Sequence, residues 1–528
     1  MSAVGSYLKF LAGVPAFLKQ PPMTAEQAKA TIREDFARRG QRFLDALERT
    51  VFQHPRSPYL PLLRLAGCEL GDVRSLVKAE GIEATLHRLR AEGVFVSFEE
   101  FKGRRPIERA GRTFDVLPQD FDNPISTGAT YTSRTSGSTG PSMAIRKTLR
   151  AFEERHAHNV FGYWVHGLLG APAATIEEGT GAFSVLLRDA RSGQSHERWF
   201  APYLERTTLA ALGFRGSAAL LSASARLAGR RIPRPRVIRL DGMDAVAEWA
   251  AVRAKQTGRV VVRANPSHSL RVASAAVDRG LDLTGVTFFG GGDPATVGKA
   301  HGIERSGARL VPLYSMTECG RVGMGCARPT DPSDVHLLNH RAALITHPRL
   351  VPGSSITVDS FHVTTLRLYA PKVMLNVELD DYGTVEKRSC GCPLEDAGFE
   401  YHIRDIYSYG KLTGDGVTLV TSEMVRILDE VLPARFGGSA IDYQLVEEED
   451  EKGFTRLSLV VHPRVDLRDA DALIETIYAE LDRDPIAAGA RSIWRQAGAL
   501  RIVRREPAAG STGKVHTLAK RSANAPRR

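Results

Sequence analysis

Four short segments of this chain combine residue types and spacings that can do chemistry. Thr135-Ser136-Gly137-Ser138-Thr139-Gly140 sets hydroxyls beside glycines, so side-chain donors and backbone N–H groups can approach an anion together. That composition suits a phosphate cradle, although it lacks the Gly-Lys-Ser/Thr ending of a Walker A loop and a flexible Ser/Thr/Gly surface loop would read the same. Phe288-Phe289-Gly290-Gly291-Gly292-Asp293-Pro294 follows a strand-like run, and its glycines let backbone lie flat against a planar ring. Leu313-Tyr314-Ser315-Met316-Thr317-Glu318 also follows such a run and brings an aromatic, hydroxyls and a carboxylate close together. Near the end of the sequence, Gly510-Ser511-Thr512-Gly513-Lys514 places a lysine on a loop of small residues.

The cysteines form a second constellation. Cys390-Gly391-Cys392 is a tight pair, Cys326 lies eight residues beyond Glu318, and His336 follows ten residues later. Brought together, these four side chains make a Cys₃His zinc set; reduced, half-buried thiols are the competing reading. Cys68 lies in an apolar helical context and reads as core, while Cys319 serves equally as a small filler. Five cysteines in 528 residues are too few for a disulfide framework.

The elements that must position these groups follow from periodicity. Thr24 and Gln27 have capping-box spacing, and Ile32, Phe36, Phe43, Leu47 and Val51 recur at helical intervals, so the first hundred or so residues read as helical. A helix is expected over Arg150 to Leu169. From there to about residue 400, helical segments alternate with strand-like runs at Phe183–Leu187, Arg236–Leu240, Arg259–Arg263, Gly285–Phe289 and Arg309–Leu313. This pattern predicts an α/β fold with a mostly parallel sheet. A second regime follows: strands at Ile441–Glu447 and Thr455–Val461 around an acidic turn, a helix at Asp469–Leu481 and a strand at Ala499–Val503. Residues 1–408, with a helical segment over 1–115, are therefore expected to form a large domain. Residues 409–528 would form a small α+β domain, with the Gly-rich stretch Tyr409–Gly416 as a hinge.

With these motifs in this order, the chain resembles the adenylate-forming superfamily of acyl-CoA synthetases, most closely its phenylacetate–CoA ligase-like branch. The resemblance spans roughly residues 130–515 and implies a large AMP-binding domain with a small mobile C-terminal domain. It implies that Thr135, Ser136, Gly137, Ser138, Thr139 and Gly140 hold the β- and γ-phosphates of ATP, without the lysine that many members place just after them. Gly290, Gly291, Gly292 and Asp293 would line the adenine, and Tyr314 would stack on it. Thr317 would contact the α-phosphate, Glu318 would ligate Mg²⁺ and Lys514 would reach the reacting carboxylate. The ribose would fall to Asp380, with Asp381 as the alternative. Lys411 replaces the family's hinge arginine and cannot copy a bidentate guanidinium contact. Tyr163 and Trp164 become candidates for the acyl pocket, and metal at Cys326, His336, Cys390 and Cys392 also matches some members.

The implied function is ATP- and Mg²⁺-dependent activation of a small-molecule carboxylic acid, followed by transfer to coenzyme A. A protein thiol or an acyl carrier protein is the alternative acceptor. Apolar residues at 43% and charged residues at 25% fit a folded protein with a sizeable core and exclude a largely disordered or fibrous chain. Seventy-one Lys and Arg against sixty Asp and Glu leave a formal +11, which raises a different class: a basic protein binding nucleic acid or a membrane surface. No zinc-finger, RRM or KH pattern supports nucleic-acid binding. The first twenty residues interrupt their apolar runs with lysines and a proline, and no 20-residue apolar span occurs, so a cytoplasmic location is expected. The acid and the oligomeric state are not legible.

Overall fold

The computed structural model describes residues 3–134, 143–177, 179–202, 209–239, 242–350, 357–408, 411–414, 417–420, 424, 427–439, 442–450, 454–481, 494–495, 498–508 and 518–520. The helical N-terminal region is as expected. Thr24 Oγ1 accepts from the Gln27 N–H while Gln27 Oε1 accepts from the Thr24 N–H, closing the capping box on the helix Ala25–Ala37. Ile32, Phe43, Leu47 and Val51 are buried, and Phe36 packs edge-on against Phe399. Cys68 is half-buried and lies in the turn after the helix Tyr59–Leu65, against the main core.

The strands needed below are β1 (Tyr131–Arg134), β2 (Ala144–Lys147), β3 (Ala173–Ile176), β4 (His196–Pro202), β5 (Pro235–Ile238), β6 (Val260–Arg263), β7 (Val286–Gly290) and β8 (Arg309–Met316). They continue with β9 (Gly320–Gly325), β10 (Val335–Leu337), β11 (Ala342–Leu350), β12 (Thr357–Thr365), β13 (Val377–Lys387) and β14 (Tyr401–Ser408). All but the β1–β2 hairpin join one twelve-stranded sheet in the order β11-β12-β13-β14-β10-β9-β8-β7-β6-β3-β4-β5. From β8 to β5 every pairing is parallel; from β8 to β11 every pairing is antiparallel. β3, β6 and β7 are buried along their whole length, as strands covered on both faces are.

Three helices pack near the site: α1 (His156–Val165), α2 (Gly179–Arg191) and α3 (Pro266–Asp278). The expected strand at Phe183–Leu187 lies inside α2. Phe183, Leu186, Leu187 and Ala190 are buried at helical spacing, so the apolar run is the inner face of a helix. The helix expected over Arg150–Leu169 is broken between Leu149–Glu153 and α1.

A second, four-stranded sheet forms near the C-terminal end, in the order β17-β16-β15-β18, from β15 (Tyr443–Glu449), β16 (Thr455–Val461), β17 (Leu500–Arg504) and β18 (Leu518–Lys520). With the helix Ala470–Leu481 it encloses its own core around Tyr443, Leu445, Leu459, Ile477 and Trp494. The protein is thus an α/β fold with one large and one smaller sheet unit. Among the described residues no helix is long and apolar enough to cross a membrane.

Candidate active site

Open parallel sheets bind ligands beyond the carboxyl ends of their strands. Here β3, β6 and β7 end at Ile176, Arg263 and Gly290, and β8 runs on into Thr317 and Glu318. A Cβ on Gly290 would lie 1.7 Å from the Ala264 carbonyl oxygen, and one on Gly291 would lie 1.8 Å from that of Leu313. Backbone from both flanking strands thus closes on this turn and dictates glycine there. Gly292 follows at φ +115°, a conformation that also favours glycine.

Asp293 is turned inward. Its Oδ2 accepts from Lys299 Nζ at 2.7 Å and from Ser267 Oγ, and both charged side chains are fully desolvated. Lys299 Nζ donates also to the Pro294 carbonyl, so the pair ties the turn to α3 and to the helix Val297–Glu304. The carboxylate expected to line the adenine thus sits in a buried ion pair with Lys299, a residue the sequence gives no reason to single out.

On β8, pairing with β9 shifts register between Tyr314 and Ser315. The buried Tyr314 donates its hydroxyl to Asp381 Oδ2 at 2.8 Å. Burial first, then Asp381 and Asp380, push its phenol well above the ordinary value, so it stays a donor. Asp381 is half-buried, while Asp380 is buried and accepts from Ser408 Oγ at 3.0 Å. Of the two aspartates left open by the sequence, Asp381 is the one in contact with the tyrosine.

Thr317 is half-buried, and the Glu318 side chain is 13% exposed. Glu318 Oε1 accepts from Lys102 Nζ at 3.1 Å, from a residue 216 positions away that the sequence gave no reason to single out. Lys102 extends over the rings of Phe98 and Phe101. Thr135, Ser136, Gly137, Ser138, Thr139 and Gly140, and likewise Lys514, lie outside the described residues; Lys411 is placed by its backbone alone, in the strand Lys411–Gly414. Tyr163 is buried with its hydroxyl on Asp189, whereas Trp164 is 40% exposed and stacks on Phe161.

The four candidate metal ligands do converge. One atom each of Cys326, His336, Cys390 and Cys392 lies within 4.8 Å of all the others. His336 Nδ1 donates to the Phe399 carbonyl at 2.7 Å, which leaves the Nε2 lone pair facing Cys392 Sγ at 3.2 Å and Cys390 Sγ at 3.6 Å. Those spacings bracket the ~3.5 Å nitrogen–sulfur edge of a tetrahedral zinc site. The Cys390–Cys392 turn is held by Glu395 Oε2, which accepts from the Cys390 and Gly391 N–H groups. The Cys392 thiol is held below its ordinary value by its contact with the Cys326 thiol, and the same contact pushes Cys326 up. Behind the set, His402 pairs with Asp334 at 2.7 Å and packs on His336.

No family model matches the sequence, and no curated protein matches it. Solved structures do overlap it loosely. The chain is 12% identical to o-succinylbenzoate CoA synthetase (MenE) of Bacillus subtilis, with a TM-score of 0.38 over 73% of this chain and 68% of that one. It is 12% identical to the amide bond synthetase McbA of Marinactinospora thermotolerans, with a TM-score of 0.33 over 96% and 98%. With the anthranilate CoA ligase AuaEII the identity is 11% and the TM-score 0.31, over 82% and 74%. Scores this low leave the assignment of residues to the geometry above.

Proposed function

We propose that the protein activates a carboxylic acid with ATP as an acyl-adenylate and passes the acyl group to a thiol, coenzyme A in the first instance. The observation that carries this reading is the Tyr314–Asp381 contact, with Thr317 and Glu318 following directly on the end of β8, beside a glycine turn clamped by backbone on both sides. The ribose falls to Asp381 in this reading, in place of Asp380, because Asp381 is the less buried of the two and touches Tyr314. Tyr314 offers a ring face beside that carboxylate, and Thr317 a hydroxyl for the α-phosphate. The loop Thr135–Gly140 cradles the outer phosphates, and Lys411 lies near the hinge.

Adenylation presses a carboxylate against a triphosphate, so the site must supply positive charge where negative charge develops. Nucleotide-bound Mg²⁺ would supply part of it, held by Glu318, whose carboxylate it would share with Lys102. Lys514 supplies the rest at the reacting carboxyl. Pyrophosphate exchange against a panel of acids tests the reading: at least one acid supports exchange, and Lys514→Ala lowers its rate about 100-fold or more. No exchange with any acid would overturn it. Supplying coenzyme A or a carrier protein in the second step then separates the two acceptors.

Cys326, His336, Cys390 and Cys392 hold a structural zinc ion in this reading. The set is complete with four protein ligands and lies about 20 Å along β9 from Glu318, so it has neither an open position nor a place in the chemistry. Metal analysis of the purified protein is expected to find about one zinc per chain, lost in Cys392→Ser together with several degrees of Tm. Metal-free protein whose Tm is indifferent to added zinc and to chelators would refute the assignment.

A further inference from the structure

Behind the Thr317–Glu318 edge the protein buries more positive than negative charge. Lys147 at the end of β2, Arg155 at the entry to α1, Arg188 on α2, Arg263 at the end of β6 and Arg321 on β9 are electrostatic neighbours in one interior region. Lys147, Arg155, Arg263 and Arg321 are each at most 8% exposed.

Four carboxylates stand near them among the described residues, Asp189, Glu177, Glu318 and Glu154, and they share their charge with further partners. Asp189 accepts from Tyr163 Oη at 2.8 Å and faces His196 Nε2 at 2.9 Å, with Arg263 Nε no nearer than 3.8 Å. Burial pushes the Glu177 carboxyl up, against the pull of Arg263, Lys147 and Arg188. Glu318 is engaged by Lys102, and Glu154 lies between Arg341 and Arg367.

The cations themselves are under-partnered. Arg263 Nε and Nη1, Arg321 Nε and Arg155 Nε are buried without a hydrogen-bond partner. Arg321 Nη1 reaches Asn159, and the guanidinium groups of Arg263 and Arg321 lie over the Phe289 ring at 5.1 and 5.8 Å, with Tyr163 stacked on the same ring. Burial, Arg155 and Arg188 push the Lys147 ammonium down to about 7. Buried, mutually repelling cations cost several kcal/mol apiece unless an anion joins them.

The reacting carboxylate is a poor candidate for that anion. It loses its charge on becoming an acyl-adenylate, so cations devoted to it would favour the ground state over the transition state. The anion that suits this cluster of cations is one that stays charged throughout. Building on the activation reading above, we propose that the acid is a dicarboxylic acid: one carboxylate is adenylated near Thr317 while the other is bound by the buried cations, with Arg263 and Arg321, whose nitrogens are left unpartnered, as its principal donors.

The test is pyrophosphate exchange with mono- and dicarboxylic acids of matched length, together with calorimetric titration of the same acids without ATP. Dicarboxylates are expected to exceed their matched monocarboxylates by roughly 100-fold or more in kcat/KM, since a site built to bind a polar group rejects ligands that lack it. Arg321→Gln and Arg263→Gln are each expected to lower that ratio by about 10- to 100-fold, through KM. Arg263→Lys keeps the charge but loses the fork, and it replaces the glutamine variant if that one fails to fold. Equal use of both acid classes, or a ratio unmoved by the variants, would overturn the proposal. So would a variant that raises the KM for ATP and leaves the ratio alone, which would give the cations to nucleotide phosphate. If no acid supports exchange, the activation reading falls, and calorimetry still decides what the cations hold. Saturable dicarboxylate binding, weakened by Arg321→Gln, upholds the proposal; no such binding refutes it.

Discussion

Glu318→Gln is expected to fold like the parent and to lose about three orders of magnitude in pyrophosphate exchange. The amide keeps the size of the side chain and an oxygen that can still accept from Lys102, so little packing changes at a position 13% exposed. What disappears is the negative charge that would hold Mg²⁺ against the phosphates, and a metal contact of that kind contributes several kcal/mol in the transition state, about tenfold in rate for each 1.4 kcal/mol. Exchange rate and Tm measured on the same preparation separate the roles. A large fall in rate with Tm held places Glu318 in the chemistry. A fall in Tm with exchange within threefold of the parent would make the Lys102–Glu318 pair architectural and move the metal elsewhere.

Lys299→Met is expected to cost the fold about 3–5 kcal/mol, because it strands the Asp293 carboxylate in a fully desolvated position. Ser267 would be its one remaining side-chain donor. Adding Asp293→Asn to Lys299→Met removes the stranded charge and is expected to recover a substantial part of the loss, and a denaturant double-mutant cycle reads that coupling directly. The same variants judge the adenine role suggested by the sequence. If Asp293→Asn raised the KM for ATP without moving the unfolding midpoint, the carboxylate would belong to the nucleotide after all.

In the parallel half of the sheet, β6 and β7 were legible because they are buried along their whole length and stand out as short apolar runs at Arg259–Arg263 and Gly285–Phe289, and Arg309–Leu313 falls inside β8. β3 and β4 drew no expectation. Phe183–Leu187 failed because a five-residue apolar run does not distinguish period 2 from period 3.6. The antiparallel half went unread: β11 and β13 each turn half-buried or exposed over part of their length, so no continuous apolar signal survives. Cys326, His336, Cys390 and Cys392 were found by residue type alone, since few other roles unite three thiols and an imidazole. Lys102, Lys299, Arg263 and Arg321 were missed for the opposite reason. Lysine and arginine abound on surfaces, and only the fold shows that these four are drawn inside or into a partnership.

The seam at β8 has a consequence for how the protein comes into being. This strand takes its parallel neighbour from β7 and its antiparallel neighbour from β9, and Tyr314, Thr317 and Glu318 stand at or just beyond the register shift between the two regimes. Neither half of the sheet can shape the site alone. Tyr314 meets Asp381 only once the strands downstream have been laid down, and the glycine turn is clamped only once β6 and β7 are in place. During synthesis, then, the emerging chain carries its chemistry in pieces, and the tyrosine laid down with β8 gains its carboxylate partner only when the returning β13 arrives.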